Sequence, residues 1–337
     1  MTVTARSFAK INLGLRIGPS RPDGFHELLT VYQTIALHDV LCVRVAGGSG
    51  IEIRCTDTRV PRDEANTCWR VAERVMRSLR AKGRVIIEIE KRLPVQGGLG
   101  GASANAVATL LALERALSKP LPPAERLRIA AEVGSDLPLF LIGGTILGVG
   151  RGEQVYPLPD FPPIPCVIVT PEIGVSTPRA FAEWDRLCGA GTPAREMPAP
   201  TAGEKLTLSA TSDRISELGR GLSAWLSEPY SGAPSGITKE RGRAENPLLW
   251  LVRAGIENDF EKVVFPEYPE LGEAKRALVH AGAQYASLSG SGSTLYGLFG
   301  SKETAARAVK KLRKQGWTAQ ATVTLPRRAY WSRIFDC

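Results

Sequence analysis

At 337 residues, with 43% hydrophobic and 23% charged side chains, the chain exceeds the size of one core and has the composition of a soluble globular protein; the net charge is +9. Six cysteines (Cys42, Cys55, Cys68, Cys166, Cys188 and Cys337) include no Cys-x-x-Cys pair, which speaks against a zinc ribbon or a disulfide framework and fits reduced thiols in the cytoplasm. No apolar run approaches the ~20 residues of a membrane span, and the first motif begins by Ser7, which leaves no room for a targeting peptide.

Period-two alternation and β-branched content predict strands over Val3 to Ile17, Leu29 to Leu37, Leu41 to Ala46 and Ile51 to Arg54. Asn66 to Arg80 has Val71, Val75 and Leu79 on one helical face. A strand from Val85 to Lys91 runs through a glycine-rich turn into a helix from Ala106 to Leu117. Pro123 opens a helix to Val133, a short helical piece from Leu137 to Leu141 follows Asp136, and a strand begins near Gly143. Prolines 157, 159, 162, 163 and 165 mark a boundary between units of residues 1–160 and 161–337.

Beyond it come a strand from Cys166 to Thr170 and a helix from Pro178 to Leu187. Gly189 to Glu204 and Tyr230 to Asn246 read as loops, with a weak helix from Ser212 to Leu226 between them. Helix Gly272 to Ala281, strands Tyr285 to Ser289 and Leu295 to Phe299, helix Lys302 to Gln315 and a strand over Thr318 to Val323 complete a β-α-β-β-α-β rhythm. From Ser301 onward nine Lys or Arg face only Glu303 and Asp336. With Ala306, Val309 and Leu312 as the buried stripe, and no interleaved aromatics, this helix reads as a solvated basic face, not an RNA-binding one.

Pro94-Val95-Gln96-Gly97-Gly98-Leu99-Gly100-Gly101-Ala102-Ser103-Ala104-Asn105 is the segment richest in chemistry. Four glycines between a strand and a helix strip away side chains, so peptide N–H groups and a free helix N-terminus form a positive concavity for a phosphate. It has no Gly-Lys-Ser/Thr ending, and a Rossmann fingerprint is missing from its proper place.

Four further segments bear on the reaction. In Ser7-Phe8-Ala9-Lys10-Ile11-Asn12, a lysine and an asparagine two apart share one face of an apolar strand, where a cation needs a carboxylate or phosphate partner unless it reaches solvent. Asp136, in Gly134-Ser135-Asp136-Leu137-Pro138, sits where it can cap the next helix, serve as a base, or both. Pro22-Asp23-Gly24 is a turn that presents Phe25 and His26. Ser287-Leu288-Ser289-Gly290-Ser291-Gly292-Ser293-Thr294 joins two strands with small residues that would let a second backbone edge approach the phosphates.

The glycine loop resembles the second motif of the small-molecule kinases named after galactokinase, homoserine kinase, mevalonate kinase and phosphomevalonate kinase (the GHMP family). The order of all five segments, with Glu257-Asn258-Asp259-Phe260-Glu261, extends the resemblance over nearly the whole chain. The turn with His26 is similar to that of the branch acting on 4-diphosphocytidyl-2-C-methyl-D-erythritol in non-mevalonate isoprenoid precursor biosynthesis.

The resemblance implies an α+β fold of two domains, the first like ribosomal protein S5 and the second ferredoxin-like. It implies ATP-dependent phosphorylation of the 2-hydroxyl of that substrate. Asp136 would be the base and Lys10 its charge partner. ATP would be held by Pro94, Val95, Gln96, Gly97, Gly98, Leu99, Gly100, Gly101, Ala102, Ser103 and Ala104, with Asn66 and Lys91 at adenine and Ser103 as a Mg2+ ligand. His26 would read cytosine, Tyr32 and Phe181 would sandwich it, and Asn12 and Phe25 would line the substrate site. The implied partner is a small cytidine diphosphate molecule, with no nucleic acid or membrane, and the chain a monomer or weak homodimer.

Departures from the family pattern are Phe25 for Tyr, Gln96 for a small residue, Ala102 and Ala104 in the loop, and Ser135 for Ala; none touches Lys10, Asp136 or His26. A GHMP kinase for a sugar, homoserine or a mevalonate derivative is the nearest alternative, and the His26 turn discriminates, since such enzymes do not read cytosine. A basic binding protein that kept the fold but lost catalysis is opposed by intact Lys10, Asp136 and Ser103.

Overall fold

The computed structural model describes residues 1–189 and 256–335. Two long strands, β1 (Thr2–Ser20) and β2 (His26–Ala46), pair antiparallel around the Pro-Asp-Gly turn, where Gly24 sits at φ +80° and its N–H reaches Arg21 O at 3.0 Å. β2 carries β1 on one edge. On the other it carries β4 (Arg84–Glu90) along residues 40–46 and β5 (Thr145–Val149) along residues 30–33. β3 (Ile51–Cys55) joins β4 in parallel through helix α1 (Thr67–Ser78), and β6 (Gln154–Pro157) closes the far edge. Helix α2 (Gly101–Leu117) lies on β1, β2 and α1, and α3 (Pro123–Val133) and α4 (Leu137–Phe140) complete the layer.

The second sheet has the order β10-β7-β9-β8 and is antiparallel throughout: β7 (Pro165–Val169), β8 (Tyr285–Leu288), β9 (Leu295–Leu298) and β10 (Ala319–Val323). This 4-1-3-2 arrangement is the ferredoxin-like layout that the rhythm predicts. Alternation along β7 joins the domains: Val167 and Val169 enter a core with the helices, and Cys166 and Ile168 enter one with Ile11 and Leu13 of β1. β1 thereby contributes Phe8, Ile11 and Leu15 to three separate cores. Among the described residues, this half carries helices α5 (Thr177–Cys188), α6 (Glu261–Glu267), α7 (Pro269–His280) and α8 (Lys302–Lys314).

Several expectations need correction. Leu29–Leu37 and Leu41–Ala46 are one strand, continuous through His38-Asp39. The helix expected from Ala106 starts at Gly101. β6 and α6 have no counterpart in the sequence reading. The buried stripe of α8 is Ala305, Ala308, Val309 and Leu312, while Ala306 is exposed. Two of the helix's cations bond main-chain carbonyls: Lys311 to His280 O at 2.8 Å and Arg313 to Ala319 O at 2.9 Å. Apart from Gly189, the loops expected over Gly189–Glu204 and Tyr230–Asn246, and the helix over Ser212–Leu226, lie outside the described residues.

After β10 the chain returns to the first domain. Leu325 O accepts from Gln33 Nε2 at 2.9 Å and Thr34 Oγ1 at 3.0 Å. Helix α9 (Arg327–Arg333) then buries Tyr330 beside Phe8, with its hydroxyl donating to Phe140 O at 2.7 Å. Tyr330→Ala removes a packed ring and a buried bond, and should destabilise the chain by about 3–5 kcal/mol in urea unfolding. A change below about 1 kcal/mol would contradict the place given to this helix in the first core.

Candidate active site

Lys10 lies mid-strand and is 3% exposed. Its Nζ donates to Asn12 Oδ1 at 2.7 Å, lies 3.5 Å from Asp136 Oδ2, and stands 5.5 Å from the centroid of the Tyr32 ring. Asn12 is fixed in turn by donating Nδ2 to Thr30 Oγ1 at 2.8 Å, and Thr30 donates to Gly14 O at 2.8 Å. A buried ammonium is tolerated only with such partners. Asp136 precedes α4 but makes no side-chain cap there. Its carboxylate accepts from Tyr32 OH at 3.2 Å and keeps 34% exposure. Burial, then the Asp136 charge, pushes the Tyr32 phenol well above its usual range, so it stays a donor.

The glycine loop wraps onto this pair. Lys10 N donates to Leu99 O at 3.0 Å, Thr294 N to Gly97 O at 3.2 Å, and Ser289 Oγ to Gly98 O at 2.9 Å. Gly98 (φ +75°) and Gly100 (φ +69°) need to be glycine on two counts. Besides the left-handed backbone, a Cβ on Gly98 would lie 2.1 Å from Ser289 O, and one on Gly100 3.1 Å from Lys10 Cγ. The Ser-Gly tract is strapped to β1 by Asn258, whose Nδ2 donates to Leu288 O at 2.9 Å and Gly290 O at 2.7 Å, and by Asp259, which accepts from Ile17 N at 3.0 Å.

Two cavities meet here. One of about 370 Å³ is lined by Asn66, Lys91 and every residue from Pro94 to Ser103. The other, of about 310 Å³, is lined by Lys10, Asn12, Phe25, His26, Tyr32, Asp136 and Phe181, all named from the sequence. Gly98 and Gly100 line both. A larger cleft of about 770 Å³ lies between the domains and shares Arg59, Lys91, Pro94 and Leu99 with the first.

Two expectations change. Ala104 lies in the first core with its N–H bonded to Gly100 O at 2.8 Å, so it is not free for a phosphate. The two rings expected to sandwich a base are engaged otherwise. Tyr32 is 2% exposed with its hydroxyl on Asp136, and Phe181 stacks on His26 at 4.7 Å and 11°. Phe25, 49% exposed, is the open ring of the cavity, with the Arg151 guanidinium 4.8 Å from its centroid.

Asn66 caps α1, its Oδ1 accepting from Cys68 N at 2.9 Å. Sequence reasoning missed Asp39, which is fully buried and accepts from Lys91 Nζ, Arg92 N and Leu93 N, each at 2.7 Å, and from Asn105 Nδ2 at 2.9 Å. The signal was present: an acid in an apolar strand needs partners, as Lys10 does. Arg151, beside Phe25 in the same cavity, was also missed.

A lysine–aspartate pair beside a glycine loop at a helix N-terminus defines a small-molecule kinase. Family models describe residues 66–144 as "GHMP kinases N terminal domain" and residues 248–316 as "GHMP kinases C terminal". The 4-diphosphocytidyl-2-C-methyl-D-erythritol kinase of Solibacter usitatus is 37% identical over 332 residues, covering 98% of this chain and 92% of that protein. The one from Geobacter sulfurreducens is 30% identical, covering 96% and 99%. A crystal structure of a 4-(cytidine 5'-diphospho)-2C-methyl-D-erythritol kinase matches with a TM-score of 0.67 at 28% identity, over 95% of this chain and 98% of that one. Homoserine kinase from Cytophaga hutchinsonii, at 21% identity and a TM-score of 0.68, over 96% of this chain and 95% of its own, shares the fold. The chain belongs to the GHMP kinases, in the family of the 4-diphosphocytidyl-2-C-methyl-D-erythritol kinases. Kinases of this family take the phosphoryl group from ATP.

The positive φ alone costs a side-chain-bearing residue roughly 1–2 kcal/mol, and the clash with Ser289 O adds to it. Gly98→Ala should therefore destabilise the folded chain by at least about 1–2 kcal/mol in urea unfolding. Unchanged stability would show that the loop is not pinned by the tract.

Proposed function

We propose that the γ-phosphoryl group of ATP crosses from the loop cavity to the 2-hydroxyl of 4-diphosphocytidyl-2-C-methyl-D-erythritol at the junction of the two cavities. The observation that carries this reading is that Lys10 and Asp136 stand together where Gly98 and Gly100 line both spaces. Backbone N–H groups of the loop and the start of α2 hold the phosphates. The acceptor oxygen bonds to phosphorus as the bond to the β-phosphate oxygen breaks, and its proton passes to Asp136. A carboxylate is a weak base, so most of the rate comes from alignment and from Lys10 offsetting the developing charge. Tyr32 and Lys10 hold the Asp136 carboxylate at its place in the cavity wall.

The described residues contain no group of three or more His, Cys, Asp or Glu that could hold a metal. The Ser103 hydroxyl lines the nucleotide cavity and makes no hydrogen bond among the described residues. This donor set suits Mg2+ bound chiefly through ATP phosphates and water, with Ser103 as its one protein ligand; bound there, it would neutralise phosphate charge.

The substrate's base belongs at the far end of the acceptor cavity, where Phe25, His26 and Phe181 gather, with Asn12 beside the polyol. The thiols of Cys42, Cys55, Cys68 and Cys166 form no disulfide among the described residues, which suits a reducing cytoplasm, and we take the enzyme to act there as a monomer or weak homodimer. No helix among the described residues is long and apolar enough to cross a membrane.

An assay coupling ADP release to the cytidine substrate tests the reading directly, and no turnover would refute it. Asp136→Ala should lower kcat by about 10²–10⁴-fold and leave ATP affinity within about threefold. Unchanged turnover would remove Asp136 from its role.

A further inference from the structure

Helix α5 places two side chains one turn apart onto the same imidazole. Phe181 stacks on the His26 ring, and Asp185 Oδ1 lies 2.7 Å from His26 Nε2. Ser20, paired with His26 across the β1–β2 hairpin, brings its hydroxyl to 3.4 Å of the same nitrogen and 3.5 Å of Asp185. Asp185 stands in the last turn of α5, where the helix dipole favours cations, as Arg186 beside it illustrates. An acid in that position is a local conflict, and the contact with His26 resolves it. His26 is 8% exposed and lines the acceptor cavity. Its ring face is covered and Nε2 is engaged, so Nδ1 is the remaining polar atom, and it bonds to nothing among the described residues.

The tautomer of a neutral imidazole is set by the bond that one of its nitrogens makes. A carboxylate only accepts, so Nε2 must carry the proton and Nδ1 a lone pair. We infer that Asp185 is a positioning residue that holds His26 in the Nε2-protonated tautomer and so selects cytosine over uracil in the acceptor cavity. The selection rests on the substrate reading above. An accepting Nδ1 matches the exocyclic amine at position 4 of cytosine and opposes the carbonyl oxygen that uracil carries there. A site built to bond one group rejects the analogue that lacks it far more strongly than shape alone would. Asn at 185 could offer Nε2 either an N–H or a carbonyl, and the enforcement would be lost.

Two measurements on the full chain test this. Long-range ¹⁵N–¹H spectra, recorded at a pH high enough that the imidazole is neutral, should show His26 protonated on Nε2 alone, and mixed tautomers in Asp185→Asn; a neutral ring with its proton on Nδ1 in the parent protein would overturn the proposal. In kinetics, the parent should prefer the cytidine substrate over its uridine counterpart. Asp185→Asn should reduce that ratio of kcat/KM at least about tenfold, with kcat for the cytidine substrate within about twofold. An unchanged ratio in Asp185→Asn would also overturn it. Should the parent phosphorylate neither compound, the substrate reading fails, and the tautomer measurement still decides the His26–Asp185 pairing.

Discussion

A lysine ammonium held inside a sheet is the constraint around which this molecule is arranged. Desolvating such an ion costs several kcal/mol after relaxation, and Lys10 meets that cost with Asn12, Asp136 and the face of Tyr32. Each partner arrives from a different part of the chain: Asn12 from the same strand, Tyr32 from its hairpin mate, and Asp136 from the start of α4. The charge thus ties local strand pairing to a helix more than a hundred residues away. The same cluster forms part of the wall of the cavity of about 310 Å³.

A second constraint is the distance between two backbones. The glycine loop and the Ser-Gly tract come from different domains and share hydrogen bonds at Gly97 and Gly98. That approach leaves no room for a Cβ at Gly98, and the loop from Pro94 to Ser103 lines the cavity of about 370 Å³. Asn258 and Asp259 hold the tract in place from behind, which gives the Glu257–Glu261 motif a structural purpose beneath its diagnostic one. β1 runs through three cores in succession, so the two domains share one strand as their common support.

Much of this was legible in the residues. Lys10 in an apolar strand and the run of glycines from Gly97 to Gly101 at the start of α2 each violate a local pattern, and such violations concentrate at sites. What remained hidden depends on partners remote in sequence. His38-Asp39 reads as a break between strands because its satisfaction comes from Lys91, Arg92, Leu93 and Asn105, none of them local. The first turn of α2 was missed because Gly101 is a poor helix former, and docking of the loop overrides that propensity. The resemblance implies a stacking role for Tyr32, and only the fold shows its hydroxyl committed to Asp136.

If Lys10 and Asp136 act on phosphoryl transfer as one unit, as proposed above, the effects of removing them are not independent. A double-mutant cycle on kcat, with Lys10→Met, Asp136→Asn and the pair, measures this most directly. Strong non-additivity is expected: the double variant should be about as slow as the slower single one, as found for residues that work together. Additive losses would show two independent contributions and contradict it.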